Sequence, residues 1–155
     1  MVRHFNQDPV PIETVKEILR LAQHAPSAGF SQGSALVLVT RPAKKRALAE
    51  LQGEKGYATA GFHKWISEAP VSVVACVSEK VYHDRYNEPD KLQKGKEIKW
   101  PVPYWFFDLG AGCIIVLLAA VDAGLAAAYS GVTNPRAVRA LPGFLSTSIP
   151  SESSQ

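Results

Sequence analysis

Apolar residues return at Ile12, Val15, Ile18, Leu19, Ala22 and Ala25, the three-and-four spacing that lines one face of a helix opened by Pro11. The pattern then changes: Ala35-Leu36-Val37-Leu38-Val39-Thr40 is an apolar run rich in branched side chains, which predicts a strand over 35–40. Val71-Ser72-Val73-Val74-Ala75-Cys76-Val77 predicts a second. Between them, Pro42 to Gln52 reads as a charged surface helix with Leu48 and Leu51 inward, and Tyr57 to Glu68 as a further helix ended by Pro70. Residues 79–102 are polar, rich in Lys and carry Pro89, Gly95 and Pro101. This is a long excursion with room for a short helix, and excursions of that kind in compact domains are often lids or binding loops. After Pro103 an apolar helix runs to about Ala123, Gly124 stops it, and Leu125 to Val132 predicts a third strand. Asn134 and Pro135 cap and open a last short helix ending at Leu141.

The run from Leu109 to Val121, bounded by Asp108 and Asp122, is shorter than the ~20 residues a membrane helix needs, so a buried helix and no membrane association are expected. Being apolar on nearly all sides, with Gly110, Ala111, Gly112, Ala119 and Ala120 interspersed, it must be covered on every face. A second copy of the chain is the expected cover. Three strands among five helices make an α/β or α+β fold. Residues 1–141 form its one domain, and the serine-rich stretch 142–155 reads as a loose tail.

Composition narrows the function. The chain has 155 residues, 46% hydrophobic and 20% charged, enough for one packed domain. Its net charge of +3 is dispersed among acids, so no nucleic-acid footprint is indicated, whereas a small anionic ligand is compatible. Cys76 and Cys113 are isolated within apolar stretches, as buried thiols of a reducing compartment would be. His4, His24, His63 and His83 lack metal-ligand spacing, so no metal is expected. The opening Met1-Val2-Arg3-His4-Phe5 runs into polar residues without a signal-peptide pattern, so a cytoplasmic location is expected.

Candidate chemistry concentrates in Pro26-Ser27-Ala28-Gly29-Phe30-Ser31-Gln32-Gly33, between the first helix and the first strand. Small residues and hydroxyls let a backbone approach a ligand closely, which suits a cofactor loop. The same residues serve equally as a helix stop and ordinary turn, and on their own the turn reading leads. Gly29-Phe30-Ser31-Gln32-Gly33 also matches the G-x-S-x-G nucleophile elbow, which would make Ser31 a hydrolase nucleophile. The context opposes it: an elbow follows a strand and opens a helix, whereas this segment follows a helix and opens a strand. No Asp lies between Ser31 and either downstream histidine, His63 or His83.

Several stretches together resemble the FMN-dependent nitroreductases, especially short actinobacterial-type members. They are Val2-Arg3-His4-Phe5 with Pro9-Val10-Pro11, Ala25-Pro26-Ser27-Ala28-Gly29-Phe30-Ser31-Gln32, Ala69-Pro70-Val71, Phe107-Asp108 through Asp122-Ala123-Gly124-Leu125, and Ser130-Gly131-Val132. The resemblance implies an α+β, three-layer sandwich with a central, mostly antiparallel sheet flanked by helices, in a homodimer. It implies FMN as cofactor, NADH or NADPH as hydride donor, and nitroaromatics, quinones or similar small molecules as acceptors. The cofactor carries such chemistry, so no protein catalytic residue is required. The cofactor-binding residues it implies are Arg3 at the ribityl and pyrimidine edge, Pro26, Ser27, Ala28 and Gly29 lining the flavin, Ser31 and Gln32 as hydrogen-bonding groups, and Ser130 and Gly131 beside the reactive ring nitrogen. Trp100, Tyr104, Trp105 and Phe106 are candidate walls for an aromatic substrate.

Family members carry an Arg-x-Ser ahead of the position of Arg3 and a further strand and basic tail after the position of Pro142, both serving the flavin phosphate. The sequence reads as truncated at both ends. Each lost charge-assisted phosphate contact is worth roughly 1.5 to 3 kcal/mol, about one to two decades of affinity. Arg136 and Arg139 are candidate substitutes. The alternative is a non-catalytic paralogue that binds flavin weakly or not at all.

Overall fold

The computed structural model describes residues 2–141, and the expected tail from Pro142 lies outside the described residues. The order is α1 (Ile12–Ala22), a 3-10 turn (Ala28–Phe30), β1 (Ser34–Val39), α2 (Pro42–Leu51), α3 (Glu54–Thr59), α4 (Trp65–Glu68), β2 (Ser72–Val77), α5 (Glu79–Tyr86), α6 (Tyr104–Asp122) and α7 (Pro135–Arg139). β1 and β2 pair as a small antiparallel sheet. The Ser78 N–H donates to the Gly33 carbonyl at 2.9 Å where the pair begins. The α+β class is the expected one.

Two elements depart from expectation. Leu125 to Val132 forms no strand among the described residues. A strand exists through repeated ladder bonds, and the bond that ties this segment to the start of the chain is Val2 N–H to Ala127 C=O, 3.1 Å. Its Ala126-Ala127-Ala128 and Gly131 are also residue types depleted in strands. The helix expected over 57–68 is two short helices, because Gly61 adopts φ 84° after α3. Phe62 N–H reaches back to Tyr57 C=O and Gly61 N–H to Ala58 C=O, the paired bonds of a Schellman stop. The same bonds end α6, from Leu125 to Ala120 and from Gly124 to Val121.

The chain falls into two compact units. The first comprises, among the described residues, 2, 8–38 and 73–128. Its core sets Val15, Ile18, Leu19 and Ala22 of α1 beside α6, whose Trp105, Gly112, Cys113 and Ala120 are buried. Gly112 brings the two helices close, since a Cβ there would lie 3.6 Å from the Ala22 carbonyl. One side of α6 is open: Phe107, Ile114, Leu118 and Val121 form an exposed stripe, with Leu118 65% exposed, while residues such as Leu109, Ile115, Val116 and Leu117 are half-buried. Within the single chain α6 is thus covered on one side, and the second copy expected as cover for the other is not part of this structure. As expected after Pro103, α6 runs for 19 residues, and by length and composition alone it is apolar enough to cross a membrane.

The second unit comprises, among the described residues, 3–7, 39–72 and 129–141. Leu48, Ala49, Trp65 and Val138 are buried there. α4 is held at both ends: the Glu54 carboxylate accepts the N–H groups of Ile66 and Ser67, and Lys45 donates to the carbonyls of Ala69 (2.7 Å) and Pro70 (3.1 Å). The Asn134 side chain caps α7 by accepting the Ala137 N–H at 3.0 Å, as the sequence predicts.

Candidate functional site

The loop after α1 lies in the first unit and rests on α5. A Cβ placed on Gly29 would lie 2.5 Å from the Tyr86 ring, and one on Gly33 2.6 Å from the Tyr82 ring. Two glycines four residues apart thus seat two tyrosines one helical turn apart, which gives the Gly-x-Ser-x-Gly spacing a packing explanation. Gly29, Phe30 and Gln32 all have positive φ (61°, 57° and 53°), a region ordinary side chains adopt only under constraint.

Local bonds shape the turn. Phe30 N–H donates to Ser27 C=O (2.9 Å), Ser31 N–H to Ala28 C=O (3.1 Å), and Gln32 N–H to the Ser27 hydroxyl oxygen (3.0 Å). Two bonds come from far along the chain. The Asp108 carboxylate of α6 accepts the Ala28 N–H at 2.8 Å, and Arg85 of α5 donates from Nε to the Gly29 carbonyl at 3.0 Å. Glu88 and Asp90 hold the other edge of the Arg85 guanidinium, Asp90 as a two-pronged pair at 2.7 and 2.8 Å. Arg85 in turn keeps the Asp90 carboxyl below its ordinary range.

The loop therefore uses the N–H groups of Ala28, Phe30, Ser31 and Gln32 within the protein instead of aiming them at a ligand. What it leaves accessible is the 75%-exposed Phe30 ring, the exposed Pro26 and Gln32, and the half-buried Ser27. Ser31 is buried, and its hydroxyl donates to Ala28 C=O at 2.6 Å. With its proton committed there, and a 3-10 turn leading into a strand around it, Ser31 lacks the setting of a hydrolase nucleophile. The other sequence candidates belong to the second unit. Arg3 is exposed and lies 5.1 Å from the Trp65 ring centroid, a cation–π arrangement. Beside it in sequence, His4 stacks on His63 at 3.8 Å. Ser130 is half-buried and Gly131 exposed, in the coil between α6 and α7, and Arg136 and Arg139 are exposed on α7.

The polar excursion after β2 carries a second cluster in the first unit. Glu97 Oε1 lies 2.5 Å from His83 Nδ1 and accepts the Trp100 indole N–H at 2.5 Å, while Asn87 donates to Glu97 Oε2 at 3.0 Å. The Trp100 N–H, then His83, hold the Glu97 carboxyl below its ordinary range, and Glu97 raises His83. Trp100 packs on Tyr86 with ring centroids 4.5 Å apart and on Trp105 at 5.6 Å. Of the expected pocket walls, Trp105 is buried in the core and Trp100 is half-buried in this cluster, while Tyr104 and Phe106 are exposed. Tyr82, wholly buried, is pushed well above the ordinary phenol range by burial and then by the neighbouring Asp108.

Sequence reasoning located the loop but not Asp108, Arg85, Tyr82 or Tyr86, which hold it. The available signal was the matched spacing of Gly29-x-x-x-Gly33 and Tyr82-x-x-x-Tyr86.

Comparison with known proteins supplies the setting. The nitroreductase family model matches residues 1–144. An NADH dehydrogenase of Thermus thermophilus is 38% identical over 73 residues, 47% of this chain and 32% of that protein. The NADPH:FMN oxidoreductase of Vibrio harveyi, solved with NAD+, superposes with a TM-score of 0.61 at 23% identity, covering 84% of this chain and 51% of its own. A nitroreductase family protein of Streptococcus pneumoniae gives a TM-score of 0.59 at 20% identity, covering 79% and 67%. The chain thus spans about a third of the length of the first of these proteins and about half of the second. With the family model matching nearly its whole length and the fold shared with both solved structures, the chain belongs to the nitroreductase family.

Proposed function

We propose that this protein is a flavin-dependent oxidoreductase that binds FMN at the 26–32 loop, takes reducing equivalents from NADH or NADPH, and passes them to a nitroaromatic, quinone or similar acceptor. The observation that carries this reading is a family-type loop braced from beneath while Ser27, Phe30 and Gln32 stay accessible.

The groups present fit a flavin ring. Its pyrimidine edge alternates carbonyl acceptors with an N–H donor. The Ser27 oxygen already accepts the Gln32 N–H, so its own proton is available to donate, and the Gln32 side-chain amide both donates and accepts. Phe30 offers a flat apolar surface. On residue chemistry alone, the family resemblance adds Arg3, Ser130 and Gly131 as flavin contacts; the permanent charge of Arg3 suits a ring that becomes anionic on reduction. When bound, FMN supplies the two-electron chemistry, accepting hydride from the nicotinamide and returning electrons to the acceptor. The chain's own part is to bind, orient and shield.

The exposed α6 stripe belongs in the same reading. Phe107, Ile114, Leu118 and Val121 present contiguous apolar surface that a second copy of the chain would cover.

The test is to incubate the purified protein with FMN, remove free flavin, and record the visible spectrum. Retained flavin bands that bleach with NADH or NADPH under anaerobic conditions and return on adding a nitroaromatic or quinone are expected. A protein that retains no flavin would sink the reading in favour of a non-catalytic paralogue.

A further inference from the structure

We infer that Asp108 is a positioning residue for the flavin: by accepting the Ala28 N–H it locks the 27–32 loop in the one shape that presents Ser27 and Gln32, with Arg85 as its second anchor at the Gly29 carbonyl. This rests on the flavin reading above.

The loop's local bonds, among Ser27, Ala28, Phe30, Ser31 and Gln32, close the turn upon itself and do not fix it to the rest of the unit. Three of its residues sit at positive φ, two of them with side chains that disfavour that region, so its conformation persists only while the surroundings enforce it. Two side chains provide hydrogen bonds from outside. They grip adjacent residues from opposite polarities: Asp108 takes the N–H of Ala28 at 2.8 Å, and Arg85 gives to the C=O of Gly29 at 3.0 Å.

Asp108 is half-buried in an otherwise apolar stretch of helix. It is the charged side chain of α6 before the terminal Asp122, set among Trp105, Phe106, Phe107 and Leu109. Its neighbour Tyr82 is wholly buried and its hydroxyl lacks a well-formed hydrogen bond. The Asp108 carboxylate faces the buried Tyr82 hydroxyl and accepts the Ala28 N–H, and the second of these ties it to the loop. Without it, that N–H loses its acceptor, the strained turn relaxes, and the Ser27 and Gln32 donors lose their fixed relation before any ligand arrives. Asp108 acts through the loop and does not itself reach the ring.

The test compares the parent chain with Asp108→Ala, Asp108→Asn and Arg85→Met. FMN affinity is read from quenching of flavin fluorescence, the environment of the bound ring from its visible spectrum, and stability from the thermal midpoint without flavin. Asp108→Ala removes a charge-assisted bond and is expected to weaken FMN about ten-fold or more, whereas Asp108→Asn, whose amide oxygen still accepts, stays within about three-fold of the parent. Arg85→Met, whose ion-pair partners Glu88 and Asp90 are exposed, is expected to weaken FMN about three-fold or more with the flavin-free midpoint little changed. Should Asp108→Ala fail to fold, Arg85→Met and the rescue by Asn decide the matter. Folded variants that bind FMN as the parent does would overturn the inference and leave the flavin reading standing; a parent that binds no FMN would overturn both.

Discussion

The Glu54 carboxylate accepts the Ile66 N–H at 2.7 Å, and the same oxygen takes the Ser67 N–H at 2.8 Å. A four-residue helix has no interior, so nearly all its polar backbone groups need partners from elsewhere. α4 receives a negative group at its N-terminal end from Glu54 and a positive one at its C-terminal end from Lys45, the polarity the helix dipole favours.

Removing the Glu54 carboxylate should therefore destabilise the second unit more than its size suggests. Glu54 is buried, and Glu54→Ala would leave two N–H groups without their acceptor, a loss of about 2–4 kcal/mol. Glu54→Gln keeps an acceptor oxygen and should lose about 1 kcal/mol. Urea unfolding of the two variants measures the difference, and equal midpoints would refute the capping role.

The His83–Glu97 pair makes stability depend on pH with a defined sign. Glu97 raises the His83 pKa, so the stabilisation it contributes is full below the ordinary histidine value of about 6.5 and is lost as pH rises through the elevated one. The Glu97 carboxyl is lowered, by Trp100 first and His83 second, so its contribution is present above about 4.3 and lost as pH falls through the depressed value. The clasp is strongest between about pH 4.3 and 6.5. The advantage of the parent over His83→Gln in denaturant midpoint should accordingly shrink from about pH 6 to about pH 9. An advantage constant over that range would count against the pair.

How much of this the sequence revealed follows from the range of each signal. The face of α1, both strands, the Asn134 cap and the Gly124 stop are properties of a few consecutive residues, and periodicity or cap chemistry reports them directly. Leu125 to Val132 has strand-like apolarity, yet a strand also needs a neighbour, which no local window contains. The loop at 26–33 was legible as a loop; its anchors were not, because Asp108 lies 80 residues from Ala28 and Arg85 lies 56 from Gly29. Gly-x-Ser-x-Gly suggested a nucleophile since the tyrosines that its glycines accommodate stand on another element. The extent of α6 was legible between Pro103 and Gly124, but the role of Asp108 was not: in sequence it looks like a boundary charge of the apolar run, while in the fold it is an in-helix acceptor.

The two loop glycines should respond unequally to alanine. Gly33→Ala would drive a methyl into the ring of Tyr82, which is wholly buried and has nowhere to move, so a loss near the top of the usual overpacking range of about 1–3 kcal/mol is expected. Gly29→Ala meets Tyr86, half-buried and better able to shift, but adds a left-handed penalty of about 1 kcal/mol. Combining Gly29→Ala with Tyr86→Ala removes the collision and leaves the backbone term. Unfolding free energies of the double-mutant cycle should show the pair losing less than the sum of the singles; strict additivity would mean that the ring does not set the contact.

The stripe on α6 yields the last prediction. Phe107, Ile114, Leu118 and Val121 recur at spacings of seven, four and three, so they lie along one side of the helix, and at Leu118 about two-thirds of the side chain is open in the single chain. A charge at such a position disturbs little within one copy, so Leu118→Lys should change the unfolding free energy of the dilute chain by about 0.5 kcal/mol or less. At an interface between copies it is a buried, unpaired ammonium on each side, which no apolar contact offsets. Sedimentation of parent and variant over a concentration series separates the two cases: a self-associating parent and a monomeric variant are expected. If Leu118→Lys associates as tightly as the parent, the α6 stripe is not the surface that joins two copies.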